Sequence, residues 1–325
     1  MAAAEKEETM DQNTTSTSVL SSHGSVKLLI LGGGYCGQRL AERAAAEGIS
    51  GCISQRSPAS AGPPPPPSWT TVGFDSDSDL RPNPAELDGI THVVSTIAPG
   101  SDGLDPVLSQ LKPLLLQLQP RWVGYLSTTG VYGDSDGAWV DETTVCKPRA
   151  GRSQARLDCE QAWQATGLPL QIFRLPAIYG PQRNPFADLR AGRSRLLHRP
   201  GQVFCRIHVD DICGTLLHCL NLPPQTRPGV INVSDDEPCP SSEQLGYAAH
   251  LLGCKLPALQ RFDEVAEAMG PMARSFWLEN RRVSNRLLCQ QLGYRLRYPN
   301  YRAGLRACLA AEGGQSIAAG AGSAT

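Results

Sequence analysis

Three glycines in one short turn are the first residues whose spacing indicates chemistry. Residues 32–37 read GGGYCG, which places glycines at the first, third and sixth positions of the pattern G-x-G-x-x-G. In that pattern the first glycine permits a tight turn, the second lets the backbone approach a pyrophosphate, and the third lets a helix pack on a strand. The N–H groups at the start of that helix then face the phosphates. The turn predicts a dinucleotide-binding site, although any strand-to-helix turn can be rich in glycine.

The residue expected to contact the adenosine ribose is an arginine. A site that prefers NAD usually carries an acid about 20 residues past the turn, and this chain has none there. Residues 53–57 instead read ISQRS, with Arg56 in fourth place. A guanidinium with neighbouring hydroxyls suits a 2′-phosphate, because it gives charged, forked donors. We therefore expect NADP in preference to NAD, with a solvated loop arginine as the alternative interpretation.

The turn belongs to a repeated alternation of short apolar strands and helices. Residues 26–31 (VKLLIL) are short, apolar and followed by glycines, as is typical of a buried parallel strand. The same criteria predict strands over residues 51–54, 70–74, 92–97, 122–127, 170–174 and 230–233. Apolar periodicity predicts helical stretches at residues 38–47, 106–118, 158–165, 211–220, 243–252, 262–269 and 283–292.

This alternation predicts an α/β fold, a Rossmann-type doubly wound parallel sheet with a small C-terminal helical substrate lobe. The domains that we expect are a disordered tail (1–24), an NAD(P)-binding Rossmann domain (25–235), the substrate lobe (236–312) and a flexible tail (313–325). Residues 183–203 are expected to contribute to the lobe. The proline run within residues 57–68 predicts an extended surface insertion between the second and third strands.

Four further segments, taken in chain order, carry a family resemblance. They are residues 126–133 (LSTTGVYG), 173–181 (FRLPAIYGP), 207–211 (IHVDD) and 230–234 (VINVS). Over roughly residues 26–310 the chain resembles the short-chain dehydrogenase/reductase superfamily. Within it, the chain is similar to the extended or atypical NAD(P)-dependent epimerase/dehydratase members, including the YeeZ-like proteins.

The resemblance implies roles for several residues. Thr128 occupies the catalytic Ser/Thr position, whose hydroxyl bonds the reacting oxygen of a substrate; a threonine that bonds only its own turn is the alternative. Pro176 would pass the carboxamide end of the nicotinamide, and Tyr179 is either part of the site or a packed core ring. The residues expected to contact the cofactor are Gly32, Gly34, Tyr35, Cys36, Gly37, Arg56, Ala98, Arg156 and Pro176.

The family's Tyr-x-x-x-Lys pair is missing. Active members transfer a proton through that tyrosine, while the lysine lowers its pKa and holds the ribose. This chain has no tyrosine between Gly133 and Ile178 and no lysine between Pro148 and Cys254. The YeeZ-like proteins lose the pair similarly. Tyr132 is the nearest remaining phenol, and it is the candidate substitute acid.

Alignment puts Arg152 at the tyrosine and Arg156 at the lysine. Arginine stays protonated at any working pH and cannot replace the acid. The two are four residues apart, so a helix would present both on one face. They could bind the ribose or an anionic substrate group through forked hydrogen bonds. The alternative is an exposed ladder in which Arg156 pairs with Glu160.

A cluster of His208, Asp210 and Asp211 resembles a metal site in composition. Because a helix is predicted from residue 211, a carboxylate capping its free N–H groups accounts for the cluster without an ion. We therefore predict no metal.

Composition bounds the partners. The chain has 325 residues, 41% hydrophobic and 19% charged, with a net charge of −1. Nucleic acid and membrane are thus disfavoured as partners, and the sequence leaves a homodimer open. Eleven cysteines without CxxC pairs, and a start that does not resemble a leader, indicate the cytoplasm.

Together these observations predict an NAD(P)-dependent oxidoreductase or epimerase-like protein for a small carbonyl or sugar-type substrate, which can be anionic. The competing interpretation is a non-catalytic dinucleotide-binding sensor or scaffold. The missing Tyr/Lys pair favours the second, whereas the retained segments at Thr128 and Tyr179 favour the first.

Overall fold

The computed structural model describes residues 26–57 and 64–321, with side chains to residue 313. The tail predicted over residues 1–24 lies outside the described residues, as do residues 58–63 of the proline-rich insertion. Residues 64–66 have no regular secondary structure.

Short strands occur along the whole described chain. In chain order they are β1 (Lys27–Leu31), β2 (Ser50–Gln55), β3 (Trp69–Gly73), β4 (His92–Ser95), β5 (Trp122–Thr128), β6 (Trp139–Val140), β7 (Leu170–Leu175), β8 (Ala177–Tyr179), β9 (Leu196–His198), β10 (Arg206–His208), β11 (Val230–Asn232), β12 (Leu259–Arg261) and β13 (Arg282–Val283).

The α-helices alternate with these strands in the first two thirds of the chain. They are α1 (Tyr35–Ala46), α2 (Pro106–Leu118), α3 (Arg152–Gln164), α4 (Phe186–Arg190), α5 (Val209–Leu220), α6 (Ser241–Leu252), α7 (Phe262–Val265), α8 (Pro271–Ser275) and α9 (Tyr301–Ala321).

In the described residues, seven strands form one sheet in the order β11-β7-β5-β4-β1-β2-β3. Every neighbouring pair in it is parallel. The chain builds the sheet outward from β1 in both directions, with β2 on one side and β4 on the other. A parallel sheet of this kind binds ligands beyond the carboxyl ends of its strands, where the order reverses. The predicted Rossmann-type doubly wound α/β fold is confirmed.

Helices cover both faces of the sheet because successive side chains of a strand point to opposite faces. Ile30 packs with Leu40 of α1 on one face. Leu29, the preceding residue, packs with Leu111 of α2 and Trp163 of α3 on the other. Burial on both faces explains why β1 is continuously apolar rather than alternating.

The later part of the chain adds three short parallel pairs. They join β10 to β8, β12 to β9 and β13 to β6. β9 lies within the segment 183–203, and its partner β12 lies beyond residue 235. The division into domains stays a prediction.

Two predicted helices differ in the structure. The helix predicted over residues 262–269 is shorter: α7 ends at Val265, and a separate 3₁₀ turn follows at Ala266–Ala268. The helix predicted over residues 283–292 is wrong in its first half, because Val283 is extended against Val140 of β6. Only a π-helical turn, Leu287–Gln291, follows.

A long final helix was not predicted. Tyr301, Leu305 and Cys308 of α9 recur at helical spacing and are buried against α6. The helix continues past Glu312 to Ala321, over most of the segment for which we expected a flexible tail. The flexibility of that segment stays a prediction. Within residues 26–57 and 64–321, no helix is long and apolar enough to cross a membrane.

Candidate functional site

The glycine-rich turn connects β1 to α1, as predicted. Gly32 has φ +111°, and a Cβ there would lie 2.3 Å from Thr96 Oγ1. A Cβ on Gly37 would lie 1.9 Å from the Gly32 carbonyl oxygen, so α1 approaches the turn too closely for any side chain. A Cβ on Gly34, in contrast, would meet nothing within 4 Å. The fold needs glycine at 32 and 37, whereas at 34 the missing side chain leaves open space.

Backbone donors at the start of α1 are open. Gly34 is the N-cap, with no side-chain hydrogen bond to the helix, so no side chain of the described residues caps the N–H groups of the first turn. The turn itself is held by β2: the Gly32 N–H donates to Ser54 Oγ at 2.9 Å, and the Gly33 N–H donates to the Ser54 carbonyl at 2.8 Å. Open donors in a fixed turn form a preorganised site for an anion.

A cleft of about 210 Å³ lies at this helix start. It is lined by Gly34, Tyr35, Cys36, Thr96, Leu126, Ser127, Arg156, Leu175, Ile178 and Arg183. These residues come from the carboxyl ends of β1, β4, β5 and β7 and from the segments that follow them, together with α3. Two guanidinium groups and no carboxylate stand among them. The cleft therefore favours a negatively charged ligand.

Arg156 projects into the cleft from the first turns of α3. Its Nη1 donates to the carbonyls of Ile97 (3.2 Å) and Leu126 (3.1 Å) and to the Tyr125 hydroxyl (3.0 Å). The alternative pairing with Glu160 is wrong, because that carboxylate is buried and faces another strand. Arg156 is thus held at the ends of β4 and β5 by neutral oxygens, and it keeps its positive charge at the cleft.

Sequence reasoning missed Arg183. It lies two residues after the Tyr-Gly-Pro segment, and that position was the only available signal. Its guanidinium carbon lies 5.6 Å from the centroid of the Tyr35 ring. Tyr35 in turn donates its hydroxyl to the Pro181 carbonyl at 2.9 Å. These contacts join the loop after β8 to the first turn of α1.

Thr128 ends β5, with its side chain half-buried. Its hydroxyl oxygen accepts the Gly130 N–H at 3.1 Å, which is the turn contact considered as an alternative above. A hydroxyl that accepts one bond can still donate its own hydrogen. The neighbouring residue Ser127 lines the cleft. The catalytic role of Thr128 stays a prediction.

Tyr132 is part of the protein interior. The residue is 2% exposed, its hydroxyl donates to Asn232 Oδ1 at 2.8 Å, and the Arg174 guanidinium lies over its ring. Burial raises the pKa of Tyr132 to about 12. A buried phenol that is already hydrogen-bonded is a poor proton donor at neutral pH, so this geometry does not favour Tyr132 as the substitute acid.

The other predicted cofactor contacts follow neighbouring strands or lie in the first turn of α1. Arg56 follows β2 and is exposed, and Ala98, beyond β4, is exposed as well. Pro176 is half-buried between β7 and β8. Cys36 is half-buried in the cleft, and burial raises the pKa of its thiol to about 11. Their contacts with a cofactor stay predictions.

The cluster around His208 is built from protein contacts. The residue that caps α5 is His208, whose Nδ1 accepts the Asp210 N–H at 3.1 Å, so the predicted carboxylate cap is wrong. Asp210 pairs with Arg39 at 2.6 Å, and Asp211 accepts the backbone N–H groups of Arg297 and Tyr298. Over the described residues, no group of three His, Cys, Asp or Glu side chains could hold a metal.

Tyr179 packs in the core. The residue is 5% exposed, and its ring lies edge-on to His208, with centroids 5.2 Å apart. Its position therefore agrees with the packed-ring interpretation.

No protein-family model and no curated protein sequence matches the chain. Solved structures do match. A functionally unknown conserved protein from Silicibacter pomeroyi DSS is 43% identical, with a TM-score of 0.78 over 88% of this chain and 99% of that one. A protein from Methylobacillus flagellatus, assigned by name to the NAD-dependent epimerases/dehydratases, is 26% identical, with a TM-score of 0.64 over 88% and 98%.

A human epimerase family protein solved with NADPH is 19% identical, with a TM-score of 0.64 over 86% of this chain and 98% of its own. At that identity the likeness shows the fold alone. The two bacterial relatives extend the similarity over nearly their whole length.

Proposed function

The chain belongs to the NAD(P)-dependent epimerase/dehydratase family of short-chain dehydrogenases/reductases, among its atypical members, and from this premise we propose that it binds NADP or NAD in the cleft at the start of α1. We further propose that it acts on a small carbonyl or sugar-type substrate as an oxidoreductase or epimerase-like enzyme.

One observation carries the proposal. The open N-terminus of α1 and two guanidinium groups, those of Arg156 and Arg183, converge on one cleft without a carboxylate among its lining residues. A diphosphate needs several donors and positive charge together. The space beside Gly34, where a Cβ would meet nothing, admits such a group close to the backbone. The residues present therefore fit a dinucleotide.

In this proposal, the turn residues bind the diphosphate and Arg56 binds the 2′-phosphate of NADP. Arg156 takes the place of the family lysine near the nicotinamide ribose. A bound nicotinamide would supply or accept a hydride. Everything else must come from the chain and the substrate.

Thr128 would orient the substrate by donating its hydroxyl hydrogen to the reacting oxygen. The bond that it accepts from Gly130 fixes the oxygen and leaves this hydrogen available. Neither Arg152 nor Arg156 can exchange a proton, since arginine does not titrate at working pH. The proton must then come from water, from the substrate or from another side chain.

A specific observation also favours the second candidate, a non-catalytic dinucleotide sensor. In the catalytic window, arginines replace the tyrosine and lysine, and the Tyr132 hydroxyl is committed to Asn232. Arg152 is exposed, with its guanidinium carbon 6.0 Å from the Phe276 ring centroid. A site without a proton donor binds a dinucleotide as well as one with a donor.

One experiment separates the candidates. The purified chain is titrated with NADPH and NADH by calorimetry, and the NADPH complex is then mixed with a panel of small aldehydes, ketones and sugars. Binding followed by loss of the reduced-nicotinamide absorbance supports the enzyme. Binding without oxidation across the panel favours the sensor, and a protein that binds neither nucleotide contradicts both.

A further inference from the structure

We infer that Arg183 and Tyr35 form a clasp over the diphosphate of the bound dinucleotide, in which the Arg183 guanidinium is a direct ligand of that diphosphate. We call this pair the Arg183–Tyr35 clasp. The inference rests on the proposed function, because it assigns a residue to the same nucleotide site.

Position is the first argument. Tyr35 is the first residue of α1, so it belongs to the same turn as the open N–H groups of the helix. Arg183 comes from the loop between β8 and α4, and both residues line the cleft. With 5.6 Å between the guanidinium carbon and the ring centroid, Arg183 lies over the Tyr35 ring beside the helix start. An anion bound by the first turn of α1 therefore lies within reach of the guanidinium.

The loop that presents Arg183 is fixed by several bonds. Gly180 and Arg183 exchange two backbone hydrogen bonds, of 3.0 and 3.1 Å, and Asn184 Nδ2 donates to the Gly180 carbonyl at 3.1 Å. The Tyr35 hydroxyl ties the same loop to α1 through Pro181. A Cβ on Gly180 would lie 2.5 Å from the Tyr35 hydroxyl, so glycine is required for this approach. The clasp is preorganised, which reduces the entropy lost on binding.

Unused donors are the second argument. Arg156, the other arginine of the cleft, gives its Nη1 to three protein oxygens. The Arg183 guanidinium has no hydrogen-bond acceptor and no carboxylate partner among the described residues. Its forked donors match the adjacent oxygens of a diphosphate. The contact with the Tyr35 ring uses none of those donors.

The test compares ligands with and without a diphosphate. NADPH, 2′-phospho-ADP-ribose and 2′-AMP are titrated by calorimetry into the native protein and into the R183A, R183K and R193A variants. Arg193 is the matched control: it is exposed, pairs with Asp188 at 2.7 Å and does not line the cleft. Melting temperature without ligand checks the fold of each variant.

We expect R183A to weaken NADPH and 2′-phospho-ADP-ribose by about tenfold or more, because a charge-assisted bond is lost. Binding of 2′-AMP should change by less than about twofold, since it has no diphosphate. The affinity of R183K for NADPH and 2′-phospho-ADP-ribose should lie between the affinities of R183A and the native protein. R193A should bind both ligands as the native protein does. Y35L should weaken diphosphate binding less than R183A, and the two effects should not add, because the ring acts through the guanidinium.

Three outcomes overturn the clasp. In the first, the native protein binds NADPH, and R183A binds 2′-phospho-ADP-ribose as tightly as the native protein does. Arg183 is then not a diphosphate ligand, while the proposed function stands. If R183A weakens 2′-AMP as much as the diphosphate ligands, the effect is a general one. If the native protein binds neither NADPH nor NADH, the proposed function and the clasp fail together.

Discussion

Arg174 and Glu160 form a bidentate ion pair inside the protein. Arg174 Nη2 lies 2.7 Å from Glu160 Oε2, and Arg174 Nε donates to Oε1 at 3.1 Å. Ser127, which lines the cleft, donates its hydroxyl to the same carboxylate, and the other side of the guanidinium covers the Tyr132 ring. The pair therefore holds α3 against β7, and the Ser127 hydrogen bond connects the end of β5 to the same carboxylate.

The buried pair leads to a stability prediction. E160Q should lower the free energy of unfolding by about 3–5 kcal/mol, because it leaves the Arg174 charge buried without its partner. D188N, in the exposed pair with Arg193, is the control and should cost less than about 1 kcal/mol. The measurement is urea unfolding. A loss for E160Q no larger than that for D188N would show that the pair contributes little.

Gly34 and Gly37 should separate binding from folding. G34V should abolish NADPH binding and keep the native melting temperature, because a side chain there enters open space where the diphosphate is expected. G37A should instead destabilise the protein, since its Cβ would lie 1.9 Å from the Gly32 carbonyl oxygen. Calorimetry and thermal melting of both variants check this. Native affinity in a folded G34V protein would contradict the assignment of the turn.

Arg56 should set the preference between the two nucleotides. R56A should weaken NADPH binding by about 1.5–3 kcal/mol, the value of a charge-assisted hydrogen bond, and leave NADH nearly unchanged. The side chain is exposed at the end of β2, so the variant should fold normally. R56K serves as the charge-conserving control. Equal weakening of both nucleotides, or tighter NADH binding by the native protein, would refute the preference for NADP.

If a substrate is found, Thr128 and Arg156 should affect different kinetic parameters. T128A should lower turnover with nearly native cofactor affinity, whereas R156A should weaken cofactor or substrate binding. The pH–rate profile should lack a tyrosinate limb, because the catalytic window contains no tyrosine and has arginines at the positions of the family's tyrosine and lysine. T128S, which keeps the hydroxyl, is the control. A T128A protein with native turnover would favour the sensor.

His92 should make stability depend on acid. Burial lowers its pKa from 6.5 to about 4. Between these two pH values the His92 side chain binds a proton in the unfolded chain but not in the folded protein. The contribution of His92 to the free energy of unfolding is therefore fully present above pH 6.5 and is lost as the pH falls toward 4. Native protein should lose up to about 3 kcal/mol more than H92Q over this interval. Urea unfolding at pH 7 and near pH 4 measures the difference, and parallel curves would contradict it.

Local signals were enough for the sheet and the glycine turn. Leu29 and Ile30 point to opposite faces of β1 and both are apolar, as expected of a strand that is buried on both faces. Pro106 begins α2 at the predicted residue. The helix predicted from residue 283 failed because Val283 is extended against Val140, a contact across the chain that periodicity does not encode. Long-range pairing overrides local preference there.

The candidate site was predictable where one segment forms it. The turn at Gly34 is contiguous, so its residues were found. Glu160 is four residues past Arg156, a helical spacing that suggests pairing, yet its carboxylate reaches Arg174 on β7 instead. Arg183 lines the cleft beside Tyr35, a residue far away in the sequence. Such neighbours are known only once the chain has folded.

The all-parallel sheet has a consequence for how the chain reaches this structure. Leu28 pairs with His92, and Val123 with Leu170, so no strand of the sheet can pair through a tight hairpin. Each pairing must first close a long loop, which makes parallel sheets slow to form and leaves apolar edges exposed meanwhile. During synthesis β1 must therefore wait for β4, its inner neighbour. Until then this apolar strand, which lies between β4 and β2 in the finished sheet, is exposed to aggregation.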